Sequence, residues 1–280
     1  MSSLTLYNEV TAQSSKSTTL LYSSSFSSAI GLLDKSLHQS IYDIYGFVRF
    51  ADEIVDTFHE YDKATLLATF KADTYAALDN GISLNPILHR FQLTYNQFNI
   101  DRALLDAFLY SMEMDLSQQS HDQASYNQYI FGSAEVVGLM CLKIFCNGND
   151  AQYEALKPAA QSLGAAFQKV NFLRDIKADF VGMERMYFPN CDFSNFSLAD
   201  KQQIEADIQA DFDAALDGIK ALPLPCRFGV YVAFKYYYAL FNKIKQTNHT
   251  ALLSTRIRIP DYAKLFIVFK AKIRASLNLL

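Results

Sequence analysis

The sequence predicts an all-α fold, a single-domain bundle of many helices around a central cavity. Three observations carry that expectation. Apolar residues recur at threes and fours along most of the chain, the repeat of helices that bury one face. Gly and Pro number only 10 and 6 in 280 residues, which favours long helices over frequent turns. No stretch alternates polar and apolar residues as a half-buried strand does, and no segment of roughly 20–50 residues repeats. Half of the residues are hydrophobic, with 22 Phe, 17 Tyr and no Trp. Such a composition suits a deep apolar cavity as well as an ordinary core.

Residues 1–24 are rich in Ser and Thr and are expected to be loosely ordered, leaving 25–280 as the domain. Ile30, Leu33, Leu37, Ile41, Ile44, Val48 and Val55 define one helical pattern over residues 27–56. A helix over 63–78 follows, closed by Asn80-Gly81, since glycine readily takes the left-handed conformation that ends helices. Pro86, pre-set for a first helical turn, opens a shorter helix through Phe91. Residues 101–116 and 126–145 read as two more, the second ended by Asn147-Gly148-Asn149. Pro158 opens a long helix to residue 180, and 181–199, with Gly182, Pro189 and several Asn and Ser, read as a loop. Residues 200–219 are amphipathic, Pro223 and Pro225 interrupt the chain, and 227–247 resume a helix. The last segment, 261–277, is helical and basic.

Bulk properties exclude several classes. A net charge of −4 argues against nucleic acid as a partner. The four cysteines, Cys141, Cys146, Cys191 and Cys226, contain no C-x-x-C pair and read as reduced thiols of a cytoplasmic protein. The start lacks a basic region followed by an apolar run, so no signal peptide is expected. No apolar stretch reaches the roughly 18 residues of a membrane span. His38, His59, His89, His121 and His249 have no metal-ligand spacing, and there is no phosphate-binding glycine loop or dinucleotide fingerprint.

Two acidic segments carry the chemistry: Asp52-Glu53-Ile54-Val55-Asp56, and Asn171 through Arg174, Asp175 and Asp179. On a helix, oxygens four residues apart stand one turn above another on the same face. Like charges so placed cost about 0.2–0.5 kcal/mol per pair. Twice repeated in apolar surroundings, the pattern points to a divalent cation, and Mg²⁺ completes its shell with water and substrate phosphates. Tyr45, Arg49, Asp52, Glu53 and Asp56 share one stripe, with Arg49 offering a planar fork for phosphate. Gln168, Asn171, Asp175 and Asp179 form a second, with Arg174 beside them and Leu163, Val170, Leu173 and Ile176 left to pack in the bundle. Each segment alone could be a solvated helix face. Together they read as a metal–diphosphate site.

At these residues the chain resembles the squalene/phytoene synthase family, the head-to-head prenyl transferases, over about residues 23–265. The blocks are Ser25-Phe26-Ser27-Ser28-Ala29, Tyr45 through Asp56, Met112-Glu113-Met114-Asp115-Leu116, Ala134-Glu135-Val136-Val137-Gly138, Leu163 through Asp179, Arg185-Met186-Tyr187-Phe188-Pro189, and Ala233 to Tyr237 with Arg256 to Leu265. Their order makes the resemblance specific. It implies an isoprenoid synthase-like fold and Mg²⁺, with Mn²⁺ as a substitute, held by Asp52, Glu53, Asp56, Asn171, Asp175 and Asp179. It assigns Ser25, Tyr45, Arg49, Gln168, Arg174, Tyr237 and Arg256 to prenyl diphosphate. In the implied reaction one allylic diphosphate ionises, the second attacks to give a cyclopropyl diphosphate, and rearrangement with proton loss gives the hydrocarbon. The wording is closest to bacterial phytoene synthases, which implies two C20 diphosphates, no NADPH and a downstream desaturase in carotenoid synthesis. A C15 enzyme making dehydrosqualene or squalene is the alternative. Glu53 stands where a second Asp is commoner, Glu135 where Gly is frequent, and Ser24 where some members carry Lys.

A rival class is a non-catalytic helical protein that binds prenyl lipid or a membrane. It rests on the last segment, where Arg256, Arg258, Lys264, Lys270, Lys272 and Arg274 face Asp261 alone, and Leu265, Phe266, Val268, Phe269 and Ile273 supply an apolar side. Basic amphipathic helices bind anionic membrane surfaces. Two readings of this segment stay open: a terminal helix packed on the bundle, and peripheral contact at the inner face of the membrane.

Overall fold

The computed structural model describes residues 2–118, 120–177, 186–189, 191 and 196–276. Among them every regular element is helical, and one isolated bridge joins Ser120 to Met186. The order is α1 (Ser3–Tyr22), α2 (Ser24–Ile30), α3 (Lys35–Asp56), α4 (Lys63–Asn80), α5 (Pro86–Gln97), α6 (Arg102–Ser117) and α7 (Gln123–Ile130). A π turn (Phe131–Glu135) leads into α8 (Val136–Cys146). Then come α9 (Asp150–Ile176), α10 (Leu198–Ala221), α11 (Leu224–Gln246), α12 (His249–Leu252) and α13 (Asp261–Ser276).

Short polar side chains start these helices by accepting orphan backbone N–H groups. Asp62 accepts from Thr65, Asn85 from Ile87 and Leu88, and Asp101 from Ala103. Ser197 and Asp200 form a reciprocal capping box at α10. Asp34 accepts from Ser36 at 2.9 Å and starts α3 afresh, so the single helix expected over 27–56 is two, parted after Ile30. Asn149 likewise caps α9 well before Pro158, which sits inside the helix rather than at its start.

Residues 3–22, expected to be loosely ordered, form α1. Its buried side chains are Thr11, Ser15, Thr18 and Thr19. The threonines spend their polarity internally: Thr18 and Thr19 donate to carbonyls one turn back, at 2.9 and 3.0 Å. The remaining small surface packs on α3 and α5. His89 meets Asn8 at 2.8 Å and closes that seam.

The core lies on one side of α3. Phe47 stacks on Phe91 at 3.8 Å and meets Phe70 and Phe108 at 5.5 and 5.4 Å. Asp43, fully buried, accepts from Arg90 at 2.9 Å, Thr94 at 2.8 Å and Gln39 at 2.8 Å, and ties α3 to α5. The opposite side of α3 faces a cavity.

α7, the π turn and α8 run on as one stretch, Gln123–Cys146, which is long and apolar enough by composition to cross a membrane. That departs from the expectation of no such stretch. Its apolar side chains serve the interior: Val136, Leu139, Met140 and Ile144 are buried, and Val137 and Cys141 line the cavity.

Candidate active site

The cavity encloses about 260 Å³. α9 lines it from Leu156 to Asn171, a length of about 22 Å on an α-helix. Ile41 and Val48 of α3 stand across from it, with Phe26, Ile30 and Leu33 beside them. Cys141 and Phe145 of α8, Ala215 and Ile219 of α10, Leu222 just past its end, and Val230 and Ala233 of α11 complete the wall. Leu163, expected to pack in the bundle, faces the cavity, whereas Val170, Leu173 and Ile176 are buried behind it. The π turn and α9 approach closely because Gly164 has no side chain; a Cβ there would stand 2.7 Å from the Ala134 carbonyl oxygen.

One end of this apolar space is polar. Gln168, Asn171 and Tyr237 line it there. Gln168 donates to Ser133 of the π turn at 3.3 Å, and Asn171 donates to Gln168 at 3.4 Å. The Asn171 Oδ1 is buried and accepts no hydrogen bond from any described residue. Tyr237 meets the Asn171 amide and the Arg174 guanidinium, while burial pushes its phenol up. Its ring stacks on Phe167 at 3.9 Å and meets Phe26 at 6.5 Å; Phe26 meets Tyr45 at 5.8 Å. These rings join the α3 side of the mouth to the α9 side.

On the α3 side, Arg49 donates to Asp52 at 2.7 Å and is paired with Glu53. Tyr22, at the end of α1, lies under the guanidinium at 4.5 Å and also meets Glu53. Burial pushes the Glu53 carboxyl up, but Arg49, Thr57 and Tyr22 outweigh it and hold the group below its ordinary value. Burial likewise raises the Tyr45 phenol, despite Arg49 and a contact to Ser23. Asp56 follows one turn beyond Asp52, and Ser25 sits half-buried in the first turn of α2.

On the α9 side, Arg174 donates to Asp175 through Nε at 3.1 Å. Arg256, between α12 and α13, reaches the same carboxylate at 2.8 Å. Sequence spacing could not join Arg256 to Asp175, because the pairing is made by the return of the chain after α11. Asp179 lies outside the described residues. Tyr22 and Ser133 were not anticipated; neither belongs to a charged stripe. Glu135 points away from the cavity, where it accepts from Gln161 at 2.8 Å, and burial raises its carboxyl. Asp115 forms a buried knot with Tyr129 at 2.9 Å and Tyr187 at 3.4 Å, and Tyr187 stacks on Phe172 of α9.

The donors offered to a cation are carboxylate and amide oxygens, the set hard divalent ions prefer. Among the described residues no three acidic, His or Cys groups are close enough to hold a metal by themselves. Mg²⁺ does not need them to be, because it is commonly bound by one or two carboxylates and completed by substrate phosphates. The orphaned Asn171 oxygen is a donor of the kind such an ion takes, and carboxylates stand on both sides of the mouth, Asp52, Glu53 and Asp56 on α3 and Asp175 on α9.

A family profile for squalene/phytoene synthase matches residues 21–263. A phytoene synthase of Arthrospira platensis is 24% identical, over 96% of this chain and 92% of its own length. A presqualene diphosphate synthase of Rhodopseudomonas palustris is 30% identical over 60% of this chain, and the match spans only 58% of that relative. Among solved structures, a dehydrosqualene synthase in complex with ligand superposes with a TM-score of 0.83 at 19% identity, covering 96% and 98% of the two chains. A squalene synthase from Alicyclobacillus acidocaldarius gives 0.73 at 19% identity, over 86% and 95%. The fold is thus the isoprenoid synthase-like bundle of these structures. With the profile spanning α2 through the start of α13 and taking in both acidic helices, the chain belongs to the squalene/phytoene synthase family of prenyl transferases.

Proposed function

We propose that the chain condenses two geranylgeranyl diphosphates head to head into phytoene, through a cyclopropyl (prephytoene) diphosphate, for carotenoid synthesis. Mg²⁺ (with Mn²⁺ as a substitute) serves it, NADPH is not used, and a desaturase consumes the product. The observation that carries this reading is the shape of the site: a long apolar cavity whose polar end is flanked by two arginine–carboxylate groups on different helices. The apolar length suits prenyl chains, and the polar end suits diphosphate. The phytoene synthase relative, matched along almost its whole length, supports the C20 substrate.

Arg49, Arg174 and Arg256 are placed to take up the charge that develops on a leaving diphosphate. Asp52, Glu53, Asp56, Asn171 and Asp175, with Asp179 beyond the described residues, would hold the metal, which when bound polarises phosphoryl oxygens as a Lewis acid. Tyr45 and Tyr237, both with raised phenol pKa, stay protonated at neutral pH and can donate to an oxyanion. The faces of Phe26, Phe167 and Tyr237 border the polar end, where a passing allylic cation is stabilised by ring quadrupoles. The apolar wall keeps water from that cation.

The C15 reading is favoured by a different observation. A 4,4'-diapophytoene synthase of Staphylococcus haemolyticus is 25% identical, and the presqualene diphosphate synthase match has the higher identity. Incubation with C20 or C15 diphosphate, with Mg²⁺ or EDTA and with or without NADPH, separates the two. Mg²⁺-dependent C40 phytoene without NADPH is expected. A C30 product would move the reading to the C15 class, and no hydrocarbon from either substrate would overturn it. Peripheral contact with the inner face of the membrane completes the proposal, since the substrates are amphiphiles and the product is a hydrocarbon.

A further inference from the structure

α13 carries apolar residues on two opposite sides. Ile267, Val268 and Ala271 turn inward and pack on the core. Tyr262, Leu265, Phe266 and Phe269 turn outward and are 77%, 72%, 56% and 60% exposed. On a helical projection the outward stripe is flanked on one side by Lys270 and on the other by Lys272, both exposed. Lys270 stands over the Phe266 ring at 4.5 Å. The helix sets Lys264, Lys270, Lys272 and Arg274 against Asp261, a basic patch in a chain of net charge −4. A helix that faces water is expected to be polar on its outer side, and this one is apolar there.

The stripe has a companion. Lys264 donates to Ser24 at 3.1 Å, so the start of α13 touches the junction of α1 and α2. The last turn of α1 exposes Leu20, Leu21 and Tyr22, Leu21 by 85%. Tyr22 carries Arg49, and Arg256, just before α13, holds Asp175. The two exposed apolar segments therefore flank the polar end of the cavity.

We propose that the outer face of α13 and the α1–α2 corner form one docking surface for an anionic lipid bilayer, setting the cavity mouth against the membrane. The proposal rests on the prenyl diphosphate reading for its purpose but not for its chemistry. Apolar side chains enter the acyl boundary while flanking lysines meet anionic headgroups.

The test uses the full chain without substrate and vesicles of phosphatidylcholine, with and without phosphatidylglycerol. Binding is expected to need phosphatidylglycerol and to weaken with salt. Replacing both Lys270→Gln and Lys272→Gln should weaken it by about 30-fold. Phe266→Asp with Phe269→Asp should abolish it, with the circular-dichroism melt and turnover in detergent unchanged. Wild-type protein that ignores anionic vesicles, or a double Asp variant that binds as well as wild type, would overturn the proposal. So would a wild-type dimer in sedimentation that the Asp variant converts to monomer, because the stripe would then cover a second copy. Turnover is read separately, so a failed docking surface and a failed catalytic reading are told apart.

Discussion

Arg49 shows how one side chain can link several parts of the site. Its fork holds Asp52 and Glu53, its plane rests on Tyr22, and its charge counters the burial that raises Tyr45. Lysine offers a point charge and cannot reproduce that geometry. Arg49→Lys is expected to lower kcat/KM by about 10²–10³-fold, the loss typical of removing one oriented donor, with the thermal midpoint held within a few degrees. Steady-state diphosphate release and a thermal melt check both parts. The stripe from Tyr45 to Asp56 was legible because helical spacing alone aligns it. Tyr22 was not, since it comes to the stripe from the end of α1 and no local period marks it; the pairing of Arg256 with Asp175 on α9 was equally hidden, although Arg256 itself stood in a block of the family resemblance.

At the scale of elements, the helix closures at Asn80-Gly81 and Asn147-Gly148 were legible, because a residue in the left-handed conformation ends a helix within its own neighbourhood. Asp34 shows the limit: its capping bond cut a continuous apolar pattern into α2 and α3. α1 was illegible for another reason. Its buried face is Thr and Ser, with the threonine hydroxyls bonded to carbonyls of their own helix, so it has no apolar period to read. Helix-to-helix clamps were also hidden. Asp43 belongs to none of the acidic stripes, yet its ion pair with Arg90 fixes α3 on α5. Arg90→Ala leaves that carboxylate buried and unpaired by charge, and should cost about 3–5 kcal/mol. A urea-unfolding midpoint close to that of wild type would show that the clamp carries little.

For the whole molecule, the all-α bundle followed from periodicity, and the cavity was suggested by aromatic content without its depth. Depth is a property of packing, set by close approaches such as that at Gly164 and by small residues such as Ala159, Ala160 and Ala215 along the wall. Cys141 lines the inner half of the α8 wall, and burial raises its thiol to about 12. Cys141→Phe should fill that half with little loss of stability, because the ring enters open space rather than an overpacked core. Turnover of C20 diphosphate is expected to fall about tenfold or more, since buried methylenes are worth roughly 0.8 kcal/mol each, while C15 diphosphate is still used. Equal loss on both substrates would place the chain terminus elsewhere.

The joint action of α3 and α9 on one diphosphate site is tested most directly by diphosphate release from C20 diphosphate in wild type, Asp52→Asn and Asp175→Asn, each with Mg²⁺ and with EDTA. We expect Mg²⁺-dependent release in the wild type, and a loss of about 10²-fold or more in either variant, with the melting temperature kept or raised. Release near the wild-type rate from either folded variant, or release that ignores EDTA, would contradict a shared metal–diphosphate site.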